Sequence, residues 1–156
     1  MARLSLLLLF LGLATLTAGQ ECTHPFIAIG GLCIYIDPWV TGTMEEMRAI
    51  CKSHHGDLLW FDSDTDCDFY QELLTHIHET GINEKDYWMG ITDEGHEGEW
   101  RYIKTNQVTR LGPPYWDTGY PRDTITYNCA MFENSRQYYW RDFSCTSSLA
   151  AICRYA

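Results

Sequence analysis

Seven cysteines in 156 residues constrain this chain more than any other feature: Cys22, Cys33, Cys51, Cys67, Cys129, Cys145 and Cys153. All follow a leader-like start. Met1-Ala2-Arg3 is basic, LSLLLLFLGLATL is apolar, and Thr17-Ala18-Gly19 supplies small side chains for cleavage. Residues 1–19 read as a secretory signal peptide and residues 20–156 as one domain, large enough for its own core. The apolar run falls short of the ~20 residues that span a bilayer and no second run follows, so membrane insertion is not expected. In an oxidising, extracellular compartment the cysteines form a disulfide framework of three bridges with one thiol left over. Counting leaves the pairing open. No CxxC pair occurs, so a zinc ribbon or a thioredoxin-type site has no support.

The chain carries a net charge of −10, and one unit more negative without Arg3. Such a surface repels phosphate backbones and anionic membranes, which excludes nucleic acid as an expected partner. Surplus carboxylates suit a calcium-bearing extracellular medium.

FIAIGGLCIYI (26–36) reads as two strands around Gly30-Gly31. Thr43 to Glu46 has the form of a capping box. Met44, Met47, Ile50 and Cys51 then recur at helical spacing until Gly56 stops the run. A second cap at Ser63–Asp66 precedes Phe69, Leu73 and Ile77 on one helical stripe, ended by Gly81. Strand-like pieces follow at 87–92, 99–103, 129–132, 137–141 and 149–155. Between 104 and 128 turn residues dominate, and a loop of that length is functional or disulfide-held. Helices first and strands after predict an α+β domain.

Three patterns imitate chemistry. Asp62, Asp64 and Asp66 alternate like the start of a calcium loop, but the glycine and glutamate an EF-hand needs fall on Cys67 and Leu73. They read as acids favoured by a helix N-terminus. His54-His55 and His76/His78 have no third ligand and read as solvated helix-end histidines. No GxSxG, HExxH or other nucleophile signature occurs, so the chain is not read as an enzyme.

Tyr87-Trp88-Met89-Gly90-Ile91, Gly98-Glu-Trp-Arg-Tyr-Ile103, Tyr139-Trp140-Arg141-Asp142 and the order of the last three cysteines resemble a C-type lectin domain over about residues 22–155. The resemblance implies the bridges Cys22–Cys33, Cys51–Cys153 and Cys129–Cys145, the first marking a long form with an extra N-terminal hairpin. It implies an α+β fold of two helices, small antiparallel sheets and a long loop. Trp88, Ile91, Trp100 and Trp140 read as core residues in any case.

Sugar-binding members of that family share one calcium between protein and sugar hydroxyls. Its ligands flank a cis-proline, precede the loop cysteine and end a Trp-Asn-Asp strand, because calcium takes six to eight hard oxygens. The matching positions here are Tyr120 and Arg122 around Pro121, then Tyr127, Arg141 and Asp142. Only Asp142 is an ordinary ligand, so the usual sugar-binding calcium is not expected. A neighbouring calcium braces the long loop in many members, and its positions match Asp93, Glu97, Asp123 and Asn128. Tyr115, Trp116, Tyr120, Tyr127, Tyr138 and Tyr139 crowd the loop region beside Arg122 and Arg141. Aromatic faces stack on sugar rings and arginine forks pair with acidic groups.

The resemblance therefore implies a secreted lectin of innate immunity that binds microbial surface glycans and agglutinates, with Tyr120, Pro121, Arg122, Tyr127, Arg141 and Asp142 contacting the ligand. The competing expectation is a module of the same fold that binds protein or another non-sugar ligand. Cys67, the leftover thiol, is either a buried inert side chain or the bridge of a covalent homodimer.

Overall fold

The computed structural model describes residues 21–62, 67–82, 84–112, 114–122 and 124–156. The proposed signal peptide and the second cap, Ser63–Asp66, lie outside them. In chain order the elements are β1 (Ile27–Ile29), β2 (Leu32–Gly42), α1 (Met44–Ser53), β3 (Gly56–Leu58), α2 (Cys67–Glu79), β4 (Tyr87–Thr92), β5 (Arg101–Tyr102), β6 (Cys129–Phe132), β7 (Trp140–Phe143) and β8 (Leu149–Tyr155). The α+β expectation holds. The strands join in one connected sheet, in the order β1-β2-β8-β4-β6-β7, with β3 on β8 and β5 on β4. Only β4 and β8 pair in parallel.

Local chemistry explains most boundaries. Thr43 caps α1: its hydroxyl accepts from the Glu46 N–H at 3.3 Å while the Glu46 carboxylate accepts from the Thr43 N–H at 2.8 Å. The Thr43 N–H, and next the Thr43 hydroxyl donating at 2.9 Å, hold the Glu46 carboxyl below its ordinary value. The helix ends earlier than the sequence suggests, at Ser53, with His54 as its C-cap and His55 in the left-handed region at φ 65°. Gly56 opens β3 instead of stopping the helix. A side chain there would meet the Arg154 carbonyl oxygen at 2.6 Å, so the glycine serves the close approach of β3 to β8.

Two further strand expectations need correction. Residues 137–141 do not form a strand: a 3-10 turn spans Asn134–Arg136, and Gln137 and Tyr138 follow at φ 54° and 63°. Left-handed residues cannot continue a ladder, so β7 starts only at Trp140. At 99–103 only Arg101 and Tyr102 pair, with Thr92 and Ile91.

The sheet has a cluster on each side. One gathers α2 (Phe69, Tyr70, Leu73, Ile77) with Phe61, Tyr115, Phe132 and Trp140. The other gathers Met44, Met47 and Cys51 of α1 with Trp88, Met131 and Cys153. Trp88, Ile91, Trp100 and Trp140 are all buried, and the Trp88 indole donates to the Gly42 carbonyl at 2.9 Å. Arg48 of α1 grips Asp57 of β3 with two bonds of 2.8 and 3.0 Å. Burial alone would raise the Asp57 carboxyl; the Arg48 bonds, the Leu58 N–H and the charges of Arg48 and Lys52 outweigh it and hold the carboxyl low.

All three disulfides implied by the resemblance are present: Cys22–Cys33, Cys51–Cys153 and Cys129–Cys145. The second ties α1 to the last strand, and the third ties the start of β6 to the chain just after β7.

Candidate functional site

Between Tyr102 and Cys129 the chain forms no helix or strand among the described residues. Its backbone is nonetheless tied down. The Trp140 N–H donates to the Tyr115 carbonyl at 2.8 Å and the Asp117 N–H donates to the Trp140 carbonyl at 3.0 Å. The loop thus runs beside the outer edge of β7, with Trp116 and Trp140 in a parallel bridge. Of the six aromatics that crowd the loop region in the sequence, Tyr115, Trp116 and Tyr138 are buried in the core. Tyr115 stacks on Trp140 with ring centroids 4.7 Å apart, and Trp100 meets Trp116 edge-on at 5.0 Å. The other three, Tyr120, Tyr127 and Tyr139, are in part exposed to solvent.

Past Asp117 the loop turns through Tyr120 and Pro121, joined by a cis peptide bond, and is pinned by Asp142 of β7. That carboxylate is fully buried. It accepts the Arg122 N–H at 3.0 Å and lies 3.5 Å from Arg122 Nε, while Arg122 Nη2 donates to the Asp142 carbonyl at 3.2 Å. The Arg122 guanidinium sits 4.3 Å from the Tyr127 ring and 5.0 Å from the Tyr120 ring. Arg141 covers Tyr120 at 3.9 Å, and Tyr127 stacks on Phe143 at 6.2 Å. Five side chains therefore alternate as a ladder, Phe143, Tyr127, Arg122, Tyr120, Arg141, each cation facing an aromatic quadrupole. Arg141 also pairs with Glu133 and lies 3.8 Å from Asp117. A buried carboxylate is costly unless compensated; here the Arg122 N–H satisfies Oδ1, while Oδ2 makes no hydrogen bond and is offset by the guanidinium charge 3.5 Å away.

This set does not fit a calcium ion. Its one carboxylate of the ordinary ligand kind is engaged by Arg122, and two guanidinium charges occupy the neighbourhood.

Asp93 and Asn128 meet at the other root of the loop. The Asp93 N–H donates to the Asn128 carbonyl at 3.3 Å, and the Thr92 hydroxyl donates to the same oxygen at 2.6 Å. The turn after β4 closes when the Gly98 N–H donates to Asp93 Oδ2 at 3.0 Å. Asp93 is buried, and the side-chain oxygen of Asn128 is buried without a hydrogen-bond partner. An orphaned hard acceptor beside a buried carboxylate is the donor chemistry calcium selects, so these residues fit the ion in kind. Glu97 is exposed in the same turn, and Asp123 lies outside the described residues. Among the described residues no group of three or more His, Cys, Asp or Glu forms a metal site.

Cys67 opens α2 and is exposed, with Sγ 3.3 Å from the Tyr115 hydroxyl, so the buried-thiol expectation does not hold. Its place in the first turn carries it past the edge of the apolar stripe. Asp62 accepts the Trp60 indole N–H at 3.1 Å and pairs with Arg154. Sequence reasoning missed Asp117 and Glu133, the counter-ions of Arg141. Two isolated acids, 24 and 8 residues away, carry no spacing signal. No helix among the described residues is long and apolar enough to cross a membrane.

The family described as "Lectin C-type domain" matches residues 40–155. C-type lectin domain family 17, member A, of Homo sapiens is 24% identical over 132 residues, covering 85% of this chain and 32% of that protein. CD209 antigen-like protein C of Mus musculus is 25% identical over 136 residues, covering 86% of this chain and 70% of its own length. This chain therefore spans only about a third of the human relative. Among solved structures, the mouse scavenger receptor C-type lectin carbohydrate-recognition domain superposes with a TM-score of 0.68 at 20% identity, covering 85% of this chain and 94% of that one. Human lithostathine gives 0.71 at 19% identity (88% and 92%) and herring type II antifreeze protein 0.67 at 20% (85% and 97%). At those identities the likeness concerns the fold.

Proposed function

The chain belongs to the C-type lectin domain family, whose members are non-enzymatic binding proteins, and from that premise we propose that it is a secreted carbohydrate-binding lectin of innate immunity that recognises microbial surface glycans. The observation that carries this reading is the ladder at the loop root. Tyr120 and Tyr127 offer partly exposed rings, and between them Arg122 keeps 39% of its side chain in solvent. Rings stack on sugar faces, and an exposed guanidinium edge takes carboxylate, phosphate or sulfate substituents. Arg141, Asp142 and Pro121 position this surface from beneath. The neighbour named as a carbohydrate-recognition domain supports a glycan over other ligands. The neighbour named as an antifreeze protein favours the second reading, a non-sugar ligand on the same fold.

Calcium, where bound, belongs to the loop-bracing position. Asp93, Glu97, Asn128 and Asp123 would hold it there. The ion would neutralise buried carboxylate charge and fix the loop to β4. Asp142 and Arg122 secure the ligand-facing part of the loop without it.

A microbial glycan array probed with and without chelator tests both halves. Binding is expected to survive chelation and to fall about tenfold or more in Arg122→Ala, the loss of one charged contact. Calcium titration by calorimetry is expected to give one saturable event that Asp93→Ala removes. Glycan binding that vanishes with chelator yet persists in Arg122→Ala would overturn the reading.

The exposed Cys67 thiol extends the proposal to a disulfide-linked homodimer, the arrangement that lets a one-domain lectin agglutinate. Non-reducing electrophoresis of the secreted protein is expected to show a dimer band that Cys67→Ser abolishes. A monomer in both lanes would eliminate it.

A further inference from the structure

A groove of about 430 Å³ lies between α2 and the left-handed turn that precedes β7. Gln71, Leu74, Thr75 and His78 form one wall. They recur at i, i+3, i+4 and i+7, so they share a helix face distinct from the Phe69, Leu73, Ile77 stripe that enters the core. The facing wall holds Gln137 and Tyr139, and Tyr70 forms the floor, donating its hydroxyl to the Tyr138 carbonyl at 2.7 Å.

The turn itself builds the second wall. Two consecutive non-glycine residues with positive φ, Gln137 and Tyr138, are uncommon and cost backbone energy, a pattern concentrated at working sites. The result sends the Tyr138 ring into the core against His78, fully buried, and leaves the next ring, Tyr139, 41% exposed at the groove. Among the described residues no Asp, Glu, Lys or Arg lines the space, although the whole chain is strongly acidic. Two amides, an imidazole, a hydroxyl and two phenols line it instead, beside the apolar Leu74 and Pro114.

We infer that this groove is a second ligand site, taking an uncharged saccharide ring. Tyr139 supplies the stacking face, and Gln71 and Gln137 supply paired donors and acceptors for vicinal hydroxyls. The volume lies within the ~300–1,000 Å³ range of small-ligand pockets. The inference rests on the glycan-binding reading but uses no calcium and none of the ladder residues. With the loop surface it makes one chain bivalent: a charged-substituent site at the Arg122 ladder and a neutral site on the α2 flank.

Two-dimensional NMR of the mature protein, titrated with methyl α-mannoside, methyl β-galactoside and N-acetylglucosamine in chelator, tests it. At least one glycoside is expected to shift the signals of Gln71, Thr75, Gln137 and Tyr139 saturably. Tyr139→Ala is expected to weaken that response about tenfold, Gln71→Ala to weaken it in the same direction, and Arg122→Ala to leave it unchanged. Both groove side chains are exposed, and the variants' unperturbed core signals serve as the folding control. No shift at the groove with any of the three, or a response indifferent to Tyr139→Ala and Gln71→Ala, overturns the inference. Groove shifts without glycan binding at the ladder would sink the loop reading alone; ladder binding without groove shifts would sink only this one.

Discussion

Replacing Cys51 and Cys153 together by alanine is expected to destabilise the fold by about 4–5 kcal/mol, read as a lowered urea midpoint with the other two bridges intact. The pair closes a sequence separation of 102 residues, whereas Cys22–Cys33 closes only 11. In the chain-entropy account the cost of the unfolded state's freedom grows with the logarithm of the loop, so the short bridge stabilises by about 3 kcal/mol or less. Both sulfurs of the long bridge also sit inside the α1-side cluster, where truncation leaves unfilled space. Domains of this size are stable by only about 5–15 kcal/mol, so the loss takes a large share. Equal effects from the two double replacements would show that the bridges act through native packing and not through the unfolded chain.

Trp140→Ala is expected to cost about 3–5 kcal/mol and to remove glycan binding at the ladder as well. The ring is buried, stacks on Tyr115 and meets Tyr70, Trp116 and Phe132 edge-on. Its backbone pairs with Tyr115 and Asp117, and the next residues on β7 are Arg141 and Asp142. Losing the ring therefore loosens the loop where Tyr120 and Arg122 are presented. Trp140→Phe keeps much of the apolar contact and should cost less than half as much in thermal unfolding. A Trp140→Ala protein that unfolds early yet binds glycan normally below its midpoint would separate the core from the site and contradict their coupling.

Much of the fold was legible because its signals are local. The Thr43–Glu46 box, the Phe69, Leu73, Ile77 stripe and the apolar runs of β4, β6 and β8 each declare themselves within a dozen residues. The failures are equally physical. β3 has three residues and no periodicity, and its glycine reads as a stop until β8 is seen 2.6 Å away from where a side chain would sit. The 137–141 stretch has strand-forming residues, but positive φ at Gln137 and Tyr138 keeps them out of the ladder, which begins only at Trp140.

The site divides along the same line. Residue type at Tyr120, Arg122, Tyr127 and Arg141, the positions that the family resemblance marks for ligands, gave the expectation that the usual sugar-binding calcium has no ligand set here, because arginine and tyrosine cannot replace carboxylates around a hard cation. The order of helical and strand-like segments predicted an α+β domain and the cysteine count a disulfide framework, whose pairing came from the family resemblance. Only the tertiary structure decided that the two arginines interleave with aromatic rings, that Arg122 answers the buried Asp142, and that Asp117 and Glu133 hold Arg141. It also decided that Tyr115, Trp116 and Tyr138 are core while Tyr139 faces a groove. Which face a ring shows, and which charge answers which, depend on contacts between segments far apart in sequence, and no local period encodes them.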